Sequence, residues 1–87
     1  MSSYKVHFGS NFKKHVKKFP TKKEKINTCI NKFLVNPFNP SLKTHKLSGK
    51  LENIWSFSVD IHLRITFKFQ STQEILLTDI GTHEVYK

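Results

Sequence analysis

Residues 54–69, IWSFSVDIHLRITFKF, followed by residues 74–80, EILLTDI, decide the fold of this chain. Their apolar residues recur with a period of two, the spacing that puts alternate side chains on opposite faces of a strand. Trp55, Phe57 and Val59 fall on one side of a first strand, and Ile54, Ser56 and Ser58 on the other. Leu63, Ile65, Phe67 and Phe69 alternate in the same way with Arg64, Thr66 and Lys68. The links at residues 60–62 and 70–73 are short enough for antiparallel hairpins. Residues 74–80 are apolar on both sides, which predicts the central strand of the sheet.

Working outward, residues 42–50, LKTHKLSGK, are polar and carry Ser48-Gly49, reading as a connecting loop or short strand. Before them the period changes to that of helices. Ile26, Cys29, Ile30, Phe33 and Leu34 follow the i, i+3, i+4, i+7, i+8 pattern, with Thr21 and Glu24 spaced as a capping box and Pro37 and Pro40 ending the run. Phe12, Val16 and Phe19 mark a shorter helix over residues 11–19, stopped by Pro20. Tyr4, Val6 and Phe8 alternate with Lys5 and His7 as a strand, and Gly9-Ser10 supplies the break and cap before the helix. The order is β-α-α-β-β-β, an α+β fold in which a helical hairpin covers the apolar face of a small, mainly antiparallel sheet.

The 87 residues, 37% of them hydrophobic, suffice for one small domain over residues 1–87 and not for two. Eight Phe and the ordered periodicity argue against a disordered basic tail. Fifteen Lys+Arg against six Asp+Glu give a formal charge of +9, which points to an acidic partner such as nucleic acid or an acidic protein segment. The excess is concentrated in residues 1–50, where twelve lysines face Glu24 alone. The lone Cys29 forms no internal disulfide, the opening MSSYKVHFGS lacks an apolar signal core, and no apolar run is long enough to span a membrane. A soluble, cytoplasmic protein is the expectation.

His7, His15, His45, His62 and His83 show no HExxH or paired spacing, so no metal is expected. Cys29 lies on an apolar helix face and reads as a buried hydrophobe, and no GxSxG or Gly-rich phosphate loop is present. What remains is a set of polar groups at strand ends and on the polar sheet face: His45, Lys46, Lys50, Ser58, His62, Arg64, Lys68, His83 and Tyr86. Such a set fits RNA cleavage. A base takes the proton of the ribose 2′-OH, a cation steadies the crowded phosphate, and an acid protonates the leaving 5′ oxygen. Imidazole titrates in the right range for either transfer. His7 and His15 read as surface residues.

The L-x-x-H-x-L-x-G pattern at residues 42–49, the aromatic strand followed by L-R-I-x-F, and the terminal G-T-H with E-V-Y resemble the toxins of bacterial toxin–antitoxin pairs in the RelE/ParE superfamily, above all the YafQ-like members. The resemblance implies a RelE-like fold and a ribosome-dependent messenger RNA endoribonuclease that uses no metal or cofactor. His45 and His83 would be its catalytic histidines, Arg64 its phosphate-stabilising arginine, and Tyr86 its RNA-positioning aromatic. Two positions depart from the YafQ pattern. Ser58 stands where that pattern has a sheet-face histidine, leaving a substrate contact at most, and His62 stands where it has an aspartate, as a further acid/base group. The implied partners are an antitoxin whose acidic or amphipathic segment covers the basic groove, messenger RNA in the ribosomal A site, and ribosomal RNA reached by the lysine-rich helices. Two other readings stand beside it: a ParE-like inhibitor of DNA gyrase that acts by binding, and an inactive basic RNA-binding protein.

Overall fold

A computed structural model of the chain describes residues 4–47 and 53–82. Strand β1 (Lys5–Phe8) leads into helix α1 (Ser10–His15), helix α2 (Lys23–Val35) follows, and four further strands complete the fold: β2 (His45–Lys46), β3 (Trp55–Ser58), β4 (Leu63–Phe69) and β5 (Glu74–Thr82). They form one sheet in the order β1-β5-β4-β3-β2, antiparallel throughout except that β1 pairs parallel to β5. The fold is α+β, with two helices on a mainly antiparallel sheet, as the periodicities predict.

The core lies between α2 and the apolar side of the sheet. Ile26, Cys29, Ile30 and Phe33 form the buried stripe of α2 and meet Phe57, Val59, Leu63, Ile65, Phe67, Ile75, Leu77 and Ile80. Phe33 stacks on Phe57 with centroids 4.3 Å apart and meets Phe67 edge-on at 4.7 Å. Both are favourable aromatic geometries. Cys29 is buried and its thiol points at the Val59 carbonyl, 3.6 Å away, in the role of a small hydrophobe. Trp55 packs at the core margin against Phe67, Phe69 and the exposed Phe38.

Several local expectations are corrected. Residues 42–50 contribute a fifth strand, β2, as the short-strand alternative allows, and Leu42 enters the core from a 3-10 turn over Pro40–Leu42 capped by Asn39. The helix expected over residues 11–19 is α-helical only to His15 and tightens into a 3-10 turn at Val16–Lys18. Gly9, not Ser10, holds its cap position. The Thr21–Glu24 capping box does not form. Pro20 opens a 3-10 turn over Pro20–Lys22, so Thr21 lies inside a turn rather than at the extended position a capping side chain requires. Strand β5 is interior, but the middle of the sheet is β4.

The polar face of the sheet is also less open than alternation predicts. Ser56 and Thr66 are each only 2% exposed. Thr66 shares a hydrogen bond of 2.7 Å with Thr78, which satisfies a hydroxyl that burial would otherwise leave unpaired. Thr78 is the extra residue of a β-bulge: Thr66 pairs with Asp79 and Phe67 with Leu77. The bulge lets Ile75, Leu77 and Ile80 all reach the core despite their uneven spacing. Beside it, Asp79 accepts a hydrogen bond from His15 Nδ1 at 2.7 Å, fastening α1 to β5.

Candidate functional site

Cross-strand partners share a face of a sheet, so the ladder register shows which polar residues stand together. Ser58 lies opposite Arg64, and Arg64 opposite Gly81. One step along, His45 lies opposite Ser56, Ser56 opposite Thr66, and Thr66 opposite Asp79. Two adjacent polar rows therefore cross the sheet on the side away from α2. Strand spacing puts the backbones of His45 and Arg64 roughly 12 Å apart, a gap their side chains can narrow from both sides.

His45 Nδ1 lies 3.0 Å from the Lys43 carbonyl. A carbonyl only accepts, so Nδ1 carries the hydrogen, and in the neutral ring Nε2 keeps its lone pair. Its exposure leaves Nε2 reachable by substrate. Lys43 can present its carbonyl this way because it takes a left-handed turn, φ 52°, just before β2. Arg64 is half-buried, and its buried Nε meets no acceptor among the described residues. A buried donor without a partner is costly, and an anion seated on the guanidinium would relieve that cost.

His62 sits in the β3–β4 hairpin, exposed, with its backbone N–H donating to Asp60 Oδ1 at 2.8 Å. Leu63 donates to the same oxygen at 2.8 Å, while Asp60 Oδ2 accepts from Lys22 Nζ at 3.0 Å. This bond to Lys22, followed by the backbone donors of Leu63 and His62, holds the Asp60 carboxyl down at about 2. Sequence reasoning passed over Asp60, although an Asp opening a short hairpin is the signature of an Asx turn.

Other residues of the expected set are not gathered here. Lys46 pairs with Trp55 and so projects on the helix side of the edge strand. Lys68 shares the polar face but pairs with Leu76, four residues along β4 from Arg64. His83, Lys50 and Tyr86 lie outside the described residues; β5 ends at Thr82, which pairs with Leu63. His7 and His15 stand apart from the polar rows' centre, near Glu74 and Asp79 respectively. Among the described residues no group of three or more His, Cys, Asp or Glu could hold a metal, and no helix is long and apolar enough to cross a membrane.

The helical side differs in character. A groove of about 780 Å³ between β1, α1 and α2 has an apolar floor that includes Phe12, Val16, Ile26 and Ile30, with Lys17 and Lys23 on its rim.

No family model and no curated protein matches the sequence. Solved structures do match in fold. YafQ from E. coli superposes with a TM-score of 0.79 at 16% identity, covering 94% of this chain and 96% of that one. A YoeB/ParE toxin from Agrobacterium tumefaciens gives 0.74 at 20% identity over 92% and 99%. A metal-bound toxin from Helicobacter pylori gives 0.74 at 18% over 97% and 99%. The chain has the RelE-like fold of these toxins.

Proposed function

We propose that this chain is the toxin of a type II toxin–antitoxin pair and cleaves messenger RNA in the ribosomal A site. The observation that carries the reading is the pairing, on one sheet face, of His45 with its Nε2 lone pair free and Arg64 with an unanswered buried donor. A pure binding protein could use the arginine to hold an anion but has no need of the proton acceptor. His45 Nε2 takes the proton from the ribose 2′-OH, and the 2′ oxygen attacks the adjacent phosphorus. The bond to the 5′ oxygen breaks, leaving a 2′,3′-cyclic phosphate, and an acid protonates the departing oxygen. Arg64 stabilises the charge that builds on the phosphoryl oxygens. The acid is His83 by family resemblance, with His62 as the second choice; Ser58, Lys46, Lys50, Lys68 and Tyr86 contact the RNA.

The fold relatives support the partner as well. YafQ of E. coli has been solved in a DinJ-YafQ toxin-antitoxin complex, and that YafQ chain matches this one with a TM-score of 0.78 at 16% identity. For this chain we assign the partner's place to the groove between β1, α1 and α2. Its apolar floor and lysine rim suit an amphipathic segment with an acidic outer face. The lysines of the helical hairpin, those on the rim included, guide approach to ribosomal RNA when no antitoxin fills the groove. One domain over residues 1–87, working in the cytoplasm without a cofactor, completes the proposal.

The test is cleavage of a defined messenger RNA by the purified protein, with and without translating ribosomes, mapped by primer extension. Cuts that require ribosomes and vanish in His45→Ala and His83→Ala support the reading. Growth arrest without any cleavage transfers it to gyrase binding.

A further inference from the structure

We infer that Asp60 is a positioning residue for RNA cleavage, holding the β3–β4 loop and its His62 against the start of α2 through Lys22. The inference rests on the ribonuclease reading above and adds to it a side chain that touches no substrate.

The loop would otherwise be a free tip. Ile61 is 86% exposed, and His62 is exposed beside it. Asp60 divides its two oxygens between two tasks. Oδ1 accepts from the backbone N–H of both His62 and Leu63, at 2.8 Å each, which fixes the turn and the residue just before Arg64. Oδ2 faces the helix, where Lys22 Nζ lies 3.0 Å and Lys25 Nζ 3.9 Å away. The Asp60 side chain is itself 13% exposed, so these bonds are partly shielded from water. The preceding residue is tied to the same helix, since the Cys29 thiol lies 3.6 Å from the Val59 carbonyl. Two successive loop residues are thus anchored to α2 and to the turn that leads into it. Misplacing a reacting group by about 1 Å costs on the order of a hundredfold in rate, so an anchor of this kind can act on turnover without contacting RNA.

The anchoring also separates Lys22 from its neighbours. Lys17 and Lys23 have no carboxylate among the described residues within ion-pair reach, whereas Lys22 is committed to Asp60. Lys22 should therefore influence turnover, and its neighbours RNA affinity.

The experiment measures kcat and KM for ribosome-dependent cleavage by the full chain, the variants Asp60→Asn, Lys22→Met, their double mutant and Lys23→Met, with Tm for each. Asn keeps the Oδ1 acceptor but sets an amide against the Lys22 ammonium. Lys22→Met alters only a half-exposed side chain, so it stays folded if Asp60→Asn does not. The expected result is a roughly tenfold fall in kcat for each of the first two with KM within about twofold, no further fall in the double mutant, and a raised KM with unchanged kcat for Lys23→Met. Wild-type kcat in Lys22→Met, additive losses, or a loss confined to KM overturns the inference and leaves the ribonuclease reading standing. If the wild-type protein cuts no RNA on ribosomes, the reading fails and the inference goes with it.

Discussion

Arg64 stands opposite Ser58 on the β3–β4 ladder, with its buried Nε turned toward no acceptor among the described residues. Such a group destabilises the free protein and serves it only when an anion arrives. Arg64→Met should therefore hold or raise Tm, by about 4–8 °C if about 1 kcal/mol of desolvation cost is relieved, while lowering cleavage on the order of a hundredfold. Thermal melts and single-turnover cleavage on the same preparations check both halves.

Among the described residues the His45 side chain is tethered only through the Lys43 carbonyl, and it is otherwise exposed. Replacing it with alanine leaves the core untouched, so Tm should move by less than about 0.5 kcal/mol equivalent. Cleavage should fall by roughly 10² to 10⁴, the range of a general base. Circular dichroism melts beside primer-extension assays separate the two effects.

Asp60 has its pKa lowered from 3.8 to about 2, chiefly by Lys22. A carboxyl with a depressed folded pKa contributes stability above its unfolded value and loses it as pH falls through the folded one. Stability from this group should thus be intact above about pH 4 and vanish by about pH 2. The loss should be about 1–2 kcal/mol, discounted because the lysine side of the pair is open to solvent. Urea titrations of wild type and Asp60→Asn across that window should converge at the acid end.

Phe33 is fully buried between Phe57 and Phe67. Phe33→Ala should cost about 3–5 kcal/mol by opening a cavity that the stacked rings cannot close, and Phe33→Leu clearly less. Equilibrium urea unfolding with unchanged m-values would establish that the loss is one of stability alone.

Phe8 is 44% exposed at the mouth of the lysine-rimmed groove, its ring 5.6 Å from Phe12. Phe8→Glu should weaken antitoxin binding at least roughly tenfold, placing a like charge before an acidic partner, and leave cleavage of ribosome-bound RNA unchanged. Isothermal titration against the antitoxin, with cleavage measured in parallel, decides it.

The strands and the α2 stripe were legible because burial imposes a period, and Phe57, Ile65, Phe67 and Phe33 all sit where that period puts them. What escaped reading depended on partners distant in sequence. The fate of Thr21 turned on Pro20 opening a 3-10 turn, and Ser56 and Thr66 are buried on interior strands that are paired on both sides. His45 and Arg64 could be picked out by residue type and family resemblance, but their shared face required the His45–Ser56 and Ser58–Arg64 registers. Lys46 illustrates the opposite outcome, since the same register turns it away from His45.

The bulge at Thr78 divides β5 into two segments read out of phase. Before it, odd-numbered residues face the helices; beyond it, even-numbered ones do. Substitutions at Ile75 or Leu77 are thereby constrained by packing, whereas Gly81, opposite Arg64, is free to answer to the polar rows. Deleting Thr78 would remove the bulge and leave Ile80 facing the core and Gly81 facing the polar rows, since Phe67–Leu77 and Thr66–Asp79 would then be consecutive ladder pairs. Its cost would be the hydroxyl partner of Thr66, whereas one residue inserted between Asp79 and Ile80 would turn Ile80 outward and bring Gly81 into the core.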